Sequence, residues 1–229
     1  MIGIIGAMKI EVEGIIKLME NTQQKSISGI TFTCGELNGK KCVIAICGVG
    51  KVNAAICTQT MILEYSPRII INTGVAGGIK PEIKIGDIVI ATDVVQHDMD
   101  TSAIGDEKGF ISGIDMIHIP CDKKTIENIM QLQSKIDKTK FHTGTIVTGD
   151  QFINNKDRLN DLMVQFNAVA CEMEGGSIGQ VCYINKVSFC VVRAISDNAN
   201  DSSHIDYYEF VSIAANKSIR LICELVKII

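Results

Sequence analysis

The sequence predicts an α/β fold: a single domain over residues 1–229 with a mixed central β-sheet flanked by helices. Three observations predict it. Short apolar runs of strand length alternate with helical patterns along the whole chain, the arrangement that builds a largely parallel sheet covered by helices. The stretch GITFTCGELNGKKCVIAI carries Asn38-Gly39 between two strand patterns, which signals an antiparallel hairpin and makes the sheet mixed. The 229 residues are 46% hydrophobic and 21% charged with 3 prolines, enough apolar surface for one large core, and no repeat, low-complexity tract or linker divides them.

The elements follow in order. Residues 2–5 open the chain as an apolar strand; MIGIIGAMKIEVEG has no basic leader before this run and meets charges by Lys9, so it reads as a strand and not as a signal peptide. A helical pattern covers 9–20. The hairpin leads into a strand at 42–47, whose two cysteines act as small hydrophobes, and then a helix over 51–64. Strands at 69–72 and 88–92 precede a long, glycine-bearing, weakly periodic loop at 98–121, a length that inside a compact domain points to function or mobility. Beyond it come a helix at 122–136, a strand at 145–148, a helix at 156–165 and a buried strand at 169–171. The spacing of Met173, Ile178, Val181 and Cys182 then gives a helix over 174–184. A nearly uncharged strand at 189–194 and a helix over 206–227 finish the chain.

Charge and cysteines narrow the function. A net charge of −4 with no local Lys/Arg cluster leaves no footprint for nucleic acid and favours a small neutral ligand. Nine cysteines without a C-x-x-C pair indicate a reducing, cytoplasmic setting. No apolar run reaches the ~18 residues of a membrane span. His97, His118, His142 and His204 have no metal-ligand spacing, so neither metal nor cofactor is expected, and His97 reads as a satisfied structural histidine. Cys47, Cys171 and Cys190 have no neighbour that would make a nucleophile of them.

In α/β sheets, ligands collect beyond the carboxyl ends of the strands. There stand Ala7, Met8 and Glu11 after GIIG, Val49 in GVGKV, and Val75, Ala76 and Gly77 in TGVAGG. Phe152 and Ile153 follow in GDQFI, then Glu172, Met173 and Glu174 in CEMEG, and Arg193, Ser196 and Asp197 in VVRAISD. TGVAGG is neither a dinucleotide fingerprint nor a Walker loop; it reads as a tight turn or as backbone close to a ligand. Singly, Glu11, Glu172 and Glu174 fit helix N-termini, where a negative charge is favoured. Arg193 and Asp197 fit a buried ion pair, or Asp197 a carboxyl group raised by burial into a general acid. Together, Glu11, Glu172, Glu174 and Asp197 are four carboxylates converging on one sheet edge, more than helix dipoles alone would call for.

The motifs GIIGAM with Glu11, NTGVAGG, GDQFI, CEMEG and VVRAISD run in order from residue 2 to about 226. They closely resemble those of the bacterial 5′-methylthioadenosine/S-adenosylhomocysteine nucleosidases of the purine nucleoside phosphorylase superfamily. The resemblance implies a nucleoside phosphorylase-like subunit in a homodimer that irreversibly hydrolyses the N-glycosidic bond of adenine nucleosides, releasing adenine and a thioribose for methionine salvage. By position, Glu11 is similar to the carboxylate that activates water and Asp197 to the acid that protonates adenine N7. Met173 and Glu174 would hold the ribose and Glu172 would support them. Phe152 would stack on adenine, and the Ile153 backbone would read its edge. Arg193 would support the water and ribose, with Ser196 beside the acid. Ala7, Met8, Val49 and Tyr207 match apolar pocket positions. Ile104 and Ser112 match a wall that the loop 98–121 lends to the partner's site.

The sequence departs from the family pattern at Val75, where many members have serine, and at Ile104 and Ser112, where an aromatic residue and a proline are common. These departures bear on the 5′-substituent: methylthioadenosine, S-adenosylhomocysteine, 5′-deoxyadenosine or aminofutalosine. A phosphorylase of the same fold would need cations for phosphate, and only Arg193 among the arginines lies in a motif. A non-catalytic nucleoside sensor would need a broken acid or base, yet Glu11 and Asp197 are both present.

Overall fold

The computed structural model describes residues 1–136, 139–198 and 203–229, with 203–206 as backbone only. His204 and the Asn200–Ser202 stretch therefore fall, by side chain, outside the described residues. The strands are β1 (Ile2–Gly6), β2 (Glu20–Ile27), β3 (Ile30–Leu37), β4 (Lys40–Ile46), β5 (Ile69–Gly78), β6 (Ile88–Gln96), β7 (Ile119–Pro120), β8 (Phe141–Thr148), β9 (Ala168–Glu172) and β10 (Ser188–Asp197). The helices are α1 (Lys9–Ile16), α2 (Lys51–Tyr65), α3 (Lys123–Gln131), α4 (Lys156–Phe166), α5 (Gly175–Asn185) and α6 (Ser203–Ile228).

The mixed sheet is as expected. β3 and β4 pair antiparallel with Leu37 opposite Lys40, and Asn38 and Gly39 both take positive φ (50° and 74°), the left-handed pair that a two-residue turn requires. β1 lies parallel between β4 and β5. The central strands are apolar on both faces because both are covered. Ile2 and Ile4 join Val12, Ile15 and Leu225 in one cluster, while Ile5 joins Cys57, Met61 and Ile178 in another.

Four features depart from the sequence reading. TGVAGG is not a tight turn: β5 runs on through it, pairing Thr73–Gly77 with β10, so these glycines are strand backbone. The sheet also closes on itself, because the end of β5 pairs antiparallel with β9 (Gly77 with Cys171) while β10 bridges β5 to β6. A whole strand, β2, lies in ENTQQKSI, whose exposed polar residues give no apolar alternation; it is held by pairing with β3 at the sheet edge. Finally, α1 stops at Ile16 and α3 at Gln131, the latter followed by a 3-10 turn at Gln133–Lys135, so both helices are shorter than their apolar patterns.

Closure brings the carboxyl ends of β1, β5, β9 and β10 to one place. Among the described residues no helix is long and apolar enough to cross a membrane.

Candidate active site

These strand ends surround a cavity of about 320 Å³. Ala7, Met8, Glu11, Val49, Val75, Ala76 and Gly77 line one part of it. Phe152, Ile153, Glu172, Met173, Glu174, Ser196, Asp197 and Tyr207 line the rest, together with Gln151, Cys171 and Tyr208. The four carboxylates do converge. Of the last three, Cys171 is named in the sequence only as a nucleophile to be set aside, and Gln151 and Tyr208 are not named at all: each sits next to a named pocket residue, and a motif does not tell which of two adjacent side chains faces a cavity.

Glu11 is in the first turn of α1, yet it is 3% exposed and does more than offset a helix dipole. Its Oε2 accepts the Ala7 and Met8 amides, each at 2.8 Å, and its Oε1 accepts the Val75 amide at 3.0 Å. The backbone can come this close because position 74 is glycine: a Cβ there would collide with Glu11 Oε1. Burial pushes the Glu11 carboxyl above its ordinary range, opposed by the Arg193 charge and by the three amides.

Glu172 ends β9 and takes the Glu174 amide (3.0 Å), the Gly175 amide (2.7 Å), the Thr148 hydroxyl and the Arg193 guanidinium. These four donors occupy both of its oxygens. Glu174 caps α5. Its Oε1 accepts the Gly50 amide at 2.9 Å, and its Oε2 lies 3.8 Å from Arg193 Nη2. Burial and the neighbouring Glu172 push Glu174 up to about 8, against Arg193 and the Gly50 amide.

Arg193 does not pair with Asp197. A bulge in β10 between Ile195 and Asp197 breaks the alternation that would put the two on one face, and Arg193 lies behind the cavity wall with Glu172, while its Nη2 also donates to Asn72 Oδ1 at 2.5 Å. It is 1% exposed and does not line the cavity, so it underpins the carboxylates and is not a wall residue. Asp197 is buried at the end of β10, and the Ser196 hydroxyl donates to its Oδ2 at 3.0 Å. Phe152, half exposed at the mouth, meets Tyr207 edge to face with ring centroids 5.7 Å apart, and the Tyr207 hydroxyl lies 3.2 Å from Met8 Sδ.

Ile104 and Ser112 do not reach this cavity; Ile104 is 82% exposed on a 3-10 turn and Ser112 is exposed as well. His97 is buried but only half satisfied: Arg158 Nη2 donates to its Nδ1 at 3.1 Å, while its Nε2 has no partner among the described residues. Burial drives the Cys47 and Cys171 thiols upward and takes Cys190 up to about 12, so none of them is a ready thiolate. Among the described residues, no three His, Cys, Asp or Glu side chains are grouped to hold a metal.

This wall can do definite chemistry. A carboxylate cradled by amides can activate water, further carboxyl groups can stabilise positive charge on a bound sugar, and a carboxyl group that holds a proton can pass it to a leaving base.

The model of the phosphorylase superfamily matches residues 1–227. A 5′-methylthioadenosine/S-adenosylhomocysteine nucleosidase of Shewanella halifaxensis is 41% identical over 227 residues, covering 99% of this chain and 98% of the relative. Among solved structures, a nucleosidase of the same name from Neisseria meningitidis, in complex with methylthio-immucillin-A, superposes with a TM-score of 0.96. It is 34% identical, with 100% of this chain and 99% of that one covered. A futalosine hydrolase mutant of Helicobacter pylori superposes with a TM-score of 0.95 at 31% identity, covering 100% and 99%.

Proposed function

We propose a division of labour in the cavity from the premise that the chain belongs to the phosphorylase superfamily and, within it, to the 5′-methylthioadenosine/S-adenosylhomocysteine nucleosidases, hydrolases of the N-ribosyl bond. Adenine lies between Phe152 and the Ile153 backbone, the ribose against Met173 and Glu174, and the 5′-thioalkyl group toward Met8, Val49 and Tyr207. As the C1′–N9 bond breaks, its electron pair goes to the purine and Asp197 delivers a proton to N7, so that neutral adenine leaves. Glu11 takes a proton from water as the water oxygen bonds to C1′. Positive charge growing on the sugar is stabilised by ionised Glu11 and by the lone pairs of the neighbouring carboxyl oxygens. The scheme needs Glu11 ionised and Asp197 protonated at the same pH. Cofactor and metal play no part in this scheme.

One observation carries hydrolysis over phosphorolysis: among the described residues, none lining the cavity is Lys or Arg, and Arg193 behind the wall is already engaged by Glu172, Glu174 and Asn72. A phosphate entering this site would meet carboxylates with no free cation. Adenine release from methylthioadenosine in phosphate-free buffer, with no ribose 1-phosphate when phosphate is added, is the expected result. Ribose 1-phosphate as product would refute it.

A second reading is favoured by the futalosine hydrolase likeness, that aminofutalosine is also cleaved. A panel of methylthioadenosine, S-adenosylhomocysteine, 5′-deoxyadenosine and aminofutalosine ranks the substrates by kcat/KM. The functional unit we propose is a homodimer, on the strength of the exposed Ile104, Val52 and Ile56. Its setting is the reducing cytoplasm, in keeping with nine cysteines that are all free.

A further inference from the structure

Outside the cavity wall, three segments meet in a closed polar ring. Asp98, just beyond β6, accepts Lys51 Nζ at 2.6 Å on Oδ1 and the Asp150 amide at 3.0 Å on Oδ2. Asp150, in the loop after β8, accepts the Lys51 amide at 2.8 Å on its own Oδ1. The Lys51 and Asp98 side chains are 20% and 19% exposed, so the pair is largely shielded from water. We propose that Asp98 is a positioning residue that fixes the distance between the purine side and the ribose side of the cavity.

The geometry gives it a hold on both. Phe152 and Ile153 lie two and three residues beyond Asp150. Gly50, one residue before Lys51, donates its amide to Glu174. Both carboxylates bound by Gly50 and Lys51 thus sit on amides at the N-terminus of α2, which have no partner within the helix. Gly50 has φ 98°, and a Cβ there would lie 3.0 Å from Asp150 Oδ1, so the approach needs glycine. The first turn of α2 is anchored to α5 as well, because the Ser177 hydroxyl donates to the Lys51 carbonyl at 2.7 Å. On its other side the loop after β8 rests on the His97 ring, which occupies the space a Cβ at Gly149 would take. Cutting Asp98 out of the ring leaves the loop tied to α2 only by the Lys51 amide on Asp150, while leaving every cavity side chain in place. Loosening the spacing of the two binding surfaces weakens ground state and transition state alike, which shows in KM and not in kcat.

This inference rests on the ribose and purine roles proposed above. Its test uses Asp98→Asn and Lys51→Met on the whole protein. The amide of Asp98→Asn must turn its NH2 toward Lys51 Nζ or the Asp150 N–H, both donors, so the ring opens with almost no change of volume. Each variant should raise KM for methylthioadenosine roughly 10-fold with kcat within ~3-fold of the parent, and the double variant should be no worse than the worse single one, since the two groups form one unit. Amide hydrogen exchange should speed up at least ~10-fold both at 149–153 and at 49–52. A role confined to general stability would lower the melting temperature without this paired local change. Parent-like exchange in either segment, or additive losses in KM, overturns the proposal. If the parent protein released no adenine from any nucleoside, the functional reading would fall, yet the exchange comparison would still decide the role of Asp98.

Discussion

Replacing Arg193 by methionine should move the acid limb of the pH–rate profile upward by roughly one to two pH units. The side chain is fully enclosed and faces Glu172 and Glu174 directly, with Glu11 also within its field. At 3.8 Å from Glu174 Oε2, the attraction is about 4 kcal/mol for an effective dielectric of ~20, about three pKa units for an isolated pair. Glu11 feels Arg193 without forming a direct ion pair with it, hence the smaller shift expected for the acid limb. The sign is definite. Burial already raises Glu11 and Arg193 lowers it, so losing Arg193 raises it further, and the ionised form proposed to activate water is then lost at a higher pH. Leaving buried carboxylates without their cation also costs roughly 3–5 kcal/mol of stability. Arg193→Lys is therefore the companion variant: it keeps the charge but loses the planar fork that reaches Asn72 and Glu172 together. The assay is adenine release from pH 5 to 9, with urea unfolding at pH 7 to confirm a folded protein. If Arg193→Met keeps the parental acid limb, or if Arg193→Lys shifts it as far, Arg193 does not set the ionisation of the cavity.

Other outcomes follow from the same geometry. Asp197→Asn should lower kcat by at least ~100-fold with the fold intact, since an amide cannot deliver the purine proton; near-parental turnover would remove Asp197 from the chemistry. Glu11→Gln should suffer comparably while still binding substrate, and lost binding with normal kcat would contradict its role. Folded Glu174 keeps its proton up to about pH 8 and the unfolded chain releases it near 4.5, so stability falls as pH rises between them, by on the order of 5 kcal/mol at most. Urea unfolding of Glu174→Gln should show that slope flattened, and an unchanged slope would refute the assignment. Ile104→Asp should weaken kcat/KM for methylthioadenosine several-fold to ~100-fold relative to adenosine, measured where sedimentation shows a dimer. Equal losses for both substrates would confine Ile104 to assembly.

Most of the site was legible because its residues lie in short segments that follow strands, and strands with two buried faces announce themselves as apolar runs. Glu11, Glu174 and Asp197 were found in this way, as was the Asn38-Gly39 turn. What stayed hidden depends on partners remote in the chain. β2 is polar on both faces and exists because β3 offers hydrogen bonds along its edge. The extension of β5 through its glycines needs β9 and β10 on either side, and neither pairing leaves a mark in TGVAGG. Regular alternation would put Arg193 and Asp197, four residues apart, on one face and make them look like mates, but a bulge between Ile195 and Asp197 breaks that register. The ring of Lys51, Asp98 and Asp150 joins three segments that no periodicity connects.

The glycines packed against the carboxylates carry a further consequence for anyone mapping this protein by random substitution. A methyl group at position 74 would strike Glu11 Oε1, one at position 6 would lie 2.6 Å from Val12 Cγ1 and 3.2 Å from Glu11 Cβ, and one at position 175 would sit 3.1 Å from Glu172 Oε1. Alanine at any of these places pushes on a carboxylate without altering a single ionisable side chain. In a loss-of-function screen, residues with no chemistry of their own would then score as severely as the acid and the base. Ranking positions by damage alone would draw the outline of the site's backbone mould before it picked out the groups that react.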